Sequence, residues 1–494
     1  MLNQLLSPGT SLALATDQYE LTMAYGYWKN AMAERETVFH MFFRSNPFDG
    51  GYVVMAGLGT LIEILENYRF MRSDLDYLAT LRDRAGEPLF DEGFLKYLEE
   101  LRFQCDLDAV PEGTVVFANE PLLRIQGPIL QAQLLESVIL NTLNFQSLIA
   151  TKASRICLAA KGDPVVDFGL RRAQGLDGAL SASRACYIGG CTGTSNVLAG
   201  KILGIPVVGT HAHSWVMSFD EELESFRAFA RAMPNNCVFL VDTYGSENGI
   251  RNAIAVGKEL QEQGYRMVGV RLDSGDLAYF SKLARKLLDE AGFTEAAVMA
   301  SNELDEYVIT SLKLQGAQLS AWGVGTKLIT AHNDPALSGV YKLTAIRHPE
   351  SNDWQYRLKL SEQKIKMTVP GILQVYRCLD GEGLMIADAI AGVDEDPQSI
   401  PMIIDPNDNT HRKKLNRVAR REPLLVPVYE KGRLVRPTPD LQQVRGRVRT
   451  QLEHLDNSHK RFEYPHIYPV GLSPDLNQMR DEMIYQQRER LNGL

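Results

Sequence analysis

Short apolar runs alternate with longer amphipathic segments from about residue 160 to about residue 330, and this alternation restricts the chain more than any other feature. The runs read PVVDFG, IPVVGT, CVFLVDT, MVGVRLDSGD, AAVMASN and LSAWGVGT. Between them, DEELESFRAFARAM, NGIRNAIAVGKELQEQG, LAYFSKLARKLLDEAG and ELDEYVITSLKLQG carry apolar residues at three- and four-residue spacing, the period of a helix with one buried face. A strand-helix unit recurring about every 30 residues is what a parallel sheet with crossover helices requires. The runs therefore predict an α/β fold whose parallel sheet is either closed as a barrel or open.

The flanks do not keep this rhythm. Residues 1–140 mix helix patterns (TDQYELTMAYGYWKNAM, GLGTLIEILENYRFM) with strand candidates around Glu36 to Arg44 and Gly113 to Arg124. Beyond 345, WQYRLKL, QKIKMTV and LLVPVYEKGRLV read as antiparallel strands with polar turns. Neither flank makes a core alone, so 1–140 and 345–436 are expected to pack together as one α+β domain beside an α/β barrel at 141–344. The remaining 437–494 reads as a charged helical tail and then an extended strap through RFEYPHIYPVGLSP, whose prolines oppose a helix.

Charge narrows the partners. Lys and Arg number 52 against 61 Asp and Glu, a net charge of -9, so the chain lacks the basic field that holds nucleic acid by releasing counterions. Any anionic ligand must meet a few local cations, as a small phosphorylated metabolite can. The six cysteines form no CxxC pair, as expected of a reduced, cytoplasmic protein. The N-terminal MLNQLLSPGTSLALATDQYE lacks a basic leader, and the most apolar long stretch, ILQAQLLESVILNTLNFQSLIA, is interrupted by Gln, Glu and Asn. Neither export nor a membrane span is expected.

In parallel α/β sheets, ligands bind beyond the carboxyl ends of the strands, where loops converge. Here those ends carry Asp167, Phe168, Arg171 and Arg172; Thr210, His211 and His213; Asp242 and Thr243; Arg271, Asp273, Ser274, Gly275 and Asp276; Ser301 and Asn302; and Gly323, Gly325 and Thr326. Any one of these fits a polar loop meeting water. Six successive ends with arginines, carboxylates and small residues predict a site.

Singly the motifs stay open. Gly323-Val324-Gly325-Thr326 fits a tight turn, or a nest of backbone N–H groups for phosphate with the Thr326 hydroxyl added. It lacks the third glycine of a dinucleotide fingerprint and the Gly-Lys-Ser/Thr of a P-loop. RLDSGD fits an ion pair with a helix N-cap, or a cation for a bound anion with carboxylates facing a cationic transition state or Mg²⁺. His211-Ala212-His213 has three readings: the zinc pair of a metal-dependent barrel hydrolase, a plain loop histidine, or an imidazole that accepts a phosphoryl group. Against zinc, no later strand end supplies a histidine, and Arg271 would repel a metal in the same pocket.

Taken in order, TDQYELTMAYGYW, FHMFFRSNPFDGGYVVMAGL, DFGLRRAQG, GTSNVLAGKILGIPVVGTHAHSW, LVDTYGSENGI, VRLDSGDL, ASNELDE and WGVGTKL span almost the whole chain, and through them it resembles the nicotinate phosphoribosyltransferase family. The resemblance implies an irregular parallel α/β barrel plus a sandwich domain built from the N-terminal and post-barrel segments. It implies a homodimer with shared active sites. The implied reaction condenses nicotinate with 5-phosphoribosyl 1-pyrophosphate, giving nicotinate mononucleotide and pyrophosphate, with Mg²⁺ and with ATP hydrolysis coupled through a phosphohistidine.

Matched residue by residue, the resemblance makes His213 the phosphorylated histidine and Phe168, with Tyr19 of the partner subunit, the faces for the pyridine ring. Arg271 and Thr210 would meet the nicotinate carboxylate, and Ser195 stands where nicotinamide-using relatives carry Asp. Asp242, Asp273 and Asp276 are the carboxylates available near ribose C1, the last two also as possible Mg²⁺ contacts. The 5-phosphate would lie over Gly323, Gly325 and Thr326 with Asn302 nearby, and Arg171 is a second cation whose anion stays open.

Overall fold

The computed structural model describes residues 11–361 and 368–492. Two compact units divide the chain: Ile149–Pro335, and Met1–Leu148 joined to Ala336–Leu494.

Within Ile149–Pro335 a six-stranded sheet runs in the order Gly193–Thr194, Val165–Asp167, Ala321–Val324, Ala297–Ala300, Gly269–Leu272, Val238–Leu240. Every adjacent pair is parallel. Strands covered on both faces need apolar side chains throughout, and Val165, Val166, Val270, Val298 and Trp322 are at most 4% exposed. The amphipathic segments form the helices Glu222–Ala232, Ser246–Glu262, Leu277–Glu290 and Glu306–Leu314. Asp276 and Asp305 open the last two, Asp276 accepting Tyr279 N–H and Asp305 accepting Tyr307 and Val308 N–H of the first turn. The chain is thus of the mixed α/β class with a parallel sheet, as its alternating runs predict.

One run departs from expectation. IPVVGT forms no strand; it meets the sheet at a single parallel bridge, Thr194↔Val207, and Val207 and Val208 are 51% and 37% exposed. The edge strand is Gly193–Thr194 instead, with Thr194 N–H donating to Pro206 O and Val208 N–H to Thr194 O. Gly193 permits that approach, because a Cβ there would lie 2.7 Å from Pro206 O.

In the other unit an antiparallel seven-stranded sheet has the order Trp354–Tyr356, Gly339–Arg347, Glu36–Phe43, Leu123–Pro128, Asp106–Ala109, Val426–Glu430, Arg433–Leu434. A six-stranded sheet contains Leu373–Leu379, Met385–Gly392 and Val470–Leu472, the last parallel to its neighbour Met385–Gly392. Segments from both ends of the sequence therefore share sheets. Residues from 437 onward lie within this unit, adding the helices Leu441–Glu453 and Pro474–Asn492. The strand expected around Gly113 to Arg124 is split into Val115–Val116 and Leu123–Pro128, with Asn119 at φ 71° between them. Gln363 to Met367 of QKIKMTV lie outside the described residues.

Tyr19 sits on the helix Gln18–Lys29 and is 46% exposed. The stretch ILQAQLLESVILNTLNFQSLIA forms Ile129–Leu134 and much of Glu136–Ala160. Among the described residues, no helix is long and apolar enough to cross a membrane.

Candidate active site

The loops that follow the parallel strands enclose a cleft of about 330 Å³. It gathers Phe168, Arg171, Ser195, Thr210, His213, Arg271, Asp273, Asn302, Gly323, Gly325 and Thr326. Asp242, Asp276 and Tyr19 are not among its lining residues.

One end of the cleft is built around Phe168. The preceding Asp167 is buried and accepts from Gly169 N–H, Ser183 Oγ and Thr194 Oγ1, each at 2.8 Å. Burial pushes its carboxyl above the usual range, opposed by those three donors. Phe168 N–H then donates to Val324 O at 2.8 Å, and Ser195 N–H to Asp167 O at 2.8 Å, so three strand ends share one turn. Gly323 makes room for the ring: a Cβ there would stand 2.5 Å from Phe168 Cε2. Space makes no such demand at Gly325, whose Cβ would meet Phe168 O at an ordinary 3.5 Å.

Arg271 belongs to Gly269–Leu272 and donates from Nη1 to Thr210 Oγ1 at 2.5 Å. Its Nε is buried with no hydrogen-bond partner. Burial pulls the guanidinium pKa down while Asp273 and Asp242 push it back up, and the group stays charged at any physiological pH. A sheltered cation with an unfilled donor is suited to an incoming anion.

The opposite end is carboxylate-rich. Asp242 Oδ2 accepts from Asp273 N–H at 3.0 Å and Ser274 Oγ at 2.5 Å, which fixes the turn after Gly269–Leu272. Ser301 Oγ donates to Asp273 Oδ1. His213 directs Nε2 toward Asp273 Oδ2 at 3.8 Å, and its Nδ1 lies 3.1 Å from Thr243 Oγ1. His213 also opens a short helix, His213–Met217. Asp276 accepts from Tyr279 N–H as the cap of Leu277–Glu290, so the N-cap reading of RLDSGD holds for it.

His211 does not act with His213 as a pair. Its ring packs among Phe226, Phe229 and Phe239, its Nε2 accepts Leu240 N–H at 3.2 Å, and its Nδ1 is buried. Burial lowers its pKa to about 4. With neither nitrogen open to the cleft, the two-histidine metal site of the hydrolase reading does not form. Glu303 also lines the cleft, and Thr326 Oγ1 donates to its Oε1 at 3.5 Å. The sequence reading stopped at Asn302 and missed it; its place in ASNELDE, directly after a strand end, was the available signal.

Comparison with known proteins gives the same direction along the whole chain. The nicotinate phosphoribosyltransferase N-terminal domain, family and C-terminal domain match residues 14–144, 164–349 and 373–480. Nicotinate phosphoribosyltransferase of Bacillus subtilis (strain 168) is 43% identical over 490 residues, 97% of either chain. The Caenorhabditis elegans enzyme of that name is 37% identical over 94% of this chain and 92% of its own. The crystal structure of human nicotinic acid phosphoribosyltransferase superposes with a TM-score of 0.84 at 32% identity, covering 94% of this chain and 99% of the human one. The chain belongs to the nicotinate phosphoribosyltransferase family.

Proposed function

We propose that this chain condenses nicotinate with 5-phosphoribosyl 1-pyrophosphate, yielding nicotinate mononucleotide and pyrophosphate. Arg271 carries the reading: a part-buried guanidinium with an unpartnered Nε, tethered to Thr210 in the same cleft as the Phe168 ring, suits a flat aromatic carboxylate. Ser195 adds a hydroxyl that can donate to the carboxylate. Tyr19 of the partner subunit gives the ring its second face, in a homodimer with shared sites; the exposure of Tyr19 supports this.

Close to the ring, backbone N–H groups around Gly323, Gly325 and Thr326, the Thr326 hydroxyl and Asn302 seat the 5-phosphate, and Arg171 adds a second cation. As pyrophosphate leaves ribose C1, positive charge grows on the sugar and the Asp273 carboxylate faces it. Asp242 acts one step back by holding the Asp273 turn. No group of three or more His, Cys, Asp or Glu that could hold a metal ion occurs among the described residues; an ion that arrives on phosphates needs only one or two protein carboxylates. Asp273 would hold that Mg²⁺, which when bound neutralises charge on the leaving pyrophosphate. Asp276, exposed and engaged as a helix cap, does not fit that role.

His213 is the phosphoryl carrier for ATP coupling. An imidazole nitrogen attacks the γ-phosphorus, the bond to the bridging oxygen breaks, and ADP departs with the electron pair. Its half-exposed place between Thr243 and Asp273 supports this. The sheet closes as an irregular barrel, supported by the Thr194↔Val207 bridge and by His211 linking the 207–211 segment to Leu240. The two sheets of the other unit support a sandwich domain, and the six cysteines, which form no disulfide among the described residues, fit a reducing, cytoplasmic setting. ATP labelled at the γ-phosphate should leave an acid-labile, base-stable mark on the wild type and His211→Ala but none on His213→Ala. Label persisting on folded His213→Ala refutes the carrier.

A further inference from the structure

The two loops at the phosphate end of the cleft leave adjacent strands, and little joins them. Ala297–Ala300 pairs with Ala321–Val324 only at Met299↔Ala321 and Ala300↔Trp322. Beyond those pairs, no backbone hydrogen bond connects 301–305 to 325–327 among the described residues. Side chains make the connection. Thr326 Oγ1 reaches Glu303 Oε1 at a long 3.5 Å. The stronger link is Lys327 Nζ, which donates to Asp305 Oδ2 at 2.8 Å, with the two side chains 22% and 7% exposed.

Asp305 is fixed from its other side. Its Oδ1 accepts Tyr307 N–H at 3.0 Å and Val308 N–H at 2.8 Å, capping Glu306–Leu314. The next residue, Glu306, is fully buried and pairs with Lys152 at 2.8 Å and Arg155 at 2.9 Å. Burial alone would raise the Asp305 carboxyl, but the Lys327 ammonium and Val308 N–H outweigh it and hold the group below the usual carboxylate range. Lys327 is therefore tied to an anchored anion. In the same loop Asn302 holds φ 95°, a conformation that persists where its surroundings over-determine it.

We propose that Lys327 and Asp305 are a positioning pair that sets affinity for the phosphate end of the phosphorylated substrate without touching it, by fixing the gap between Asn302 and Gly325-Thr326. This rests on the phosphate seat assigned under the proposed function. The rival role for Lys327, direct contact with the phosphate, predicts the opposite sign when Asp305 loses its charge.

Asp305→Asn makes that separation, since an amide oxygen can still cap the helix while the ion pair is gone. Binding of ribose 5-phosphate and of nicotinate is measured by calorimetry, together with kcat, both KM values and Tm. In Asp305→Asn, ribose 5-phosphate should bind about tenfold more weakly and the KM for 5-phosphoribosyl 1-pyrophosphate should rise to match. Nicotinate binding, kcat and Tm should hold. Lys327→Met should behave alike, and Lys327→Arg should recover most of the loss. Unchanged or tighter ribose 5-phosphate binding in Asp305→Asn overturns the pair, as does an equal loss for nicotinate. Wild-type protein that binds nicotinate but no ribose 5-phosphate overturns the phosphate seat itself, a failure visible without any variant.

Discussion

Replacing Gly323 by alanine tests how the ring pocket is made. The added Cβ would stand 2.5 Å from Phe168 Cε2 and 2.6 Å from Cδ2, about 1 Å inside ordinary carbon contact. Gly323 is a strand residue outside the left-handed region, so its backbone accepts alanine and the conflict is chiefly with the ring, the flexible end of Met299 standing at 3.3 Å. Overpacking of this kind costs about 1–3 kcal/mol, and Phe168, half-buried at the cleft wall, can relieve it by swinging toward the cleft. The cost then falls on the nicotinate seat. Steady-state kinetics should show the KM for nicotinate rising about tenfold, equivalent to about 1.4 kcal/mol. The KM for the phosphorylated substrate should stay within about twofold, and urea unfolding should lose less than about 1 kcal/mol. Gly325→Ala is the control, because its Cβ meets Phe168 O at 3.5 Å. An unchanged nicotinate KM in Gly323→Ala, or an equal rise in Gly325→Ala, would refute the reasoning.

Ser195→Asp should repel nicotinate: the wild type should prefer the acid over nicotinamide by at least about tenfold in kcat/KM, and the variant should shift that ratio toward the amide. His211, lowered to about 4, stabilises the fold fully above the unfolded value of about 6.5, and this contribution is lost as pH falls toward 4 because the unfolded chain then binds the extra proton. The shift corresponds to about 3 kcal/mol, so urea unfolding at pH 7 and pH 5 should show a shallower decline in His211→Gln than in the wild type; equal declines would assign the effect elsewhere. Mixed Tyr19→Ala and His213→Ala subunits should recover activity that neither has alone, and verified heterodimers without recovery would place Tyr19 in its own chain's site.

Five of the six apolar runs were legible as strands because most of their strand residues are buried, which leaves a nearly unbroken apolar signal. IPVVGT carried the same signal for a different reason: Val207 and Val208 face outward. The edge strand it displaced, Gly193–Thr194, is two residues long and has no period to read. The helix at His213 spans five residues, again below the length at which spacing speaks. Among the carboxylates, residue type alone could not sort the roles. Asp273 faces the cleft, Asp242 is engaged by the neighbouring turn, and Asp276 caps a helix, yet all three follow strands in the same way. Only the course of the loops decides between them. The strand ends name most of the residues that line the cleft and the motif resemblance adds Ser195, while the Lys327–Asp305 link needed the folded geometry.

Pyrophosphate release bears most directly on the proposed chemistry. Purified protein given nicotinate, 5-phosphoribosyl 1-pyrophosphate and Mg²⁺ should release pyrophosphate in step with nicotinate mononucleotide, more rapidly or to a greater extent when ATP is added, and Arg271→Ala should lose the response to nicotinate. Folded wild-type protein that releases no pyrophosphate with all of these present would contradict the account.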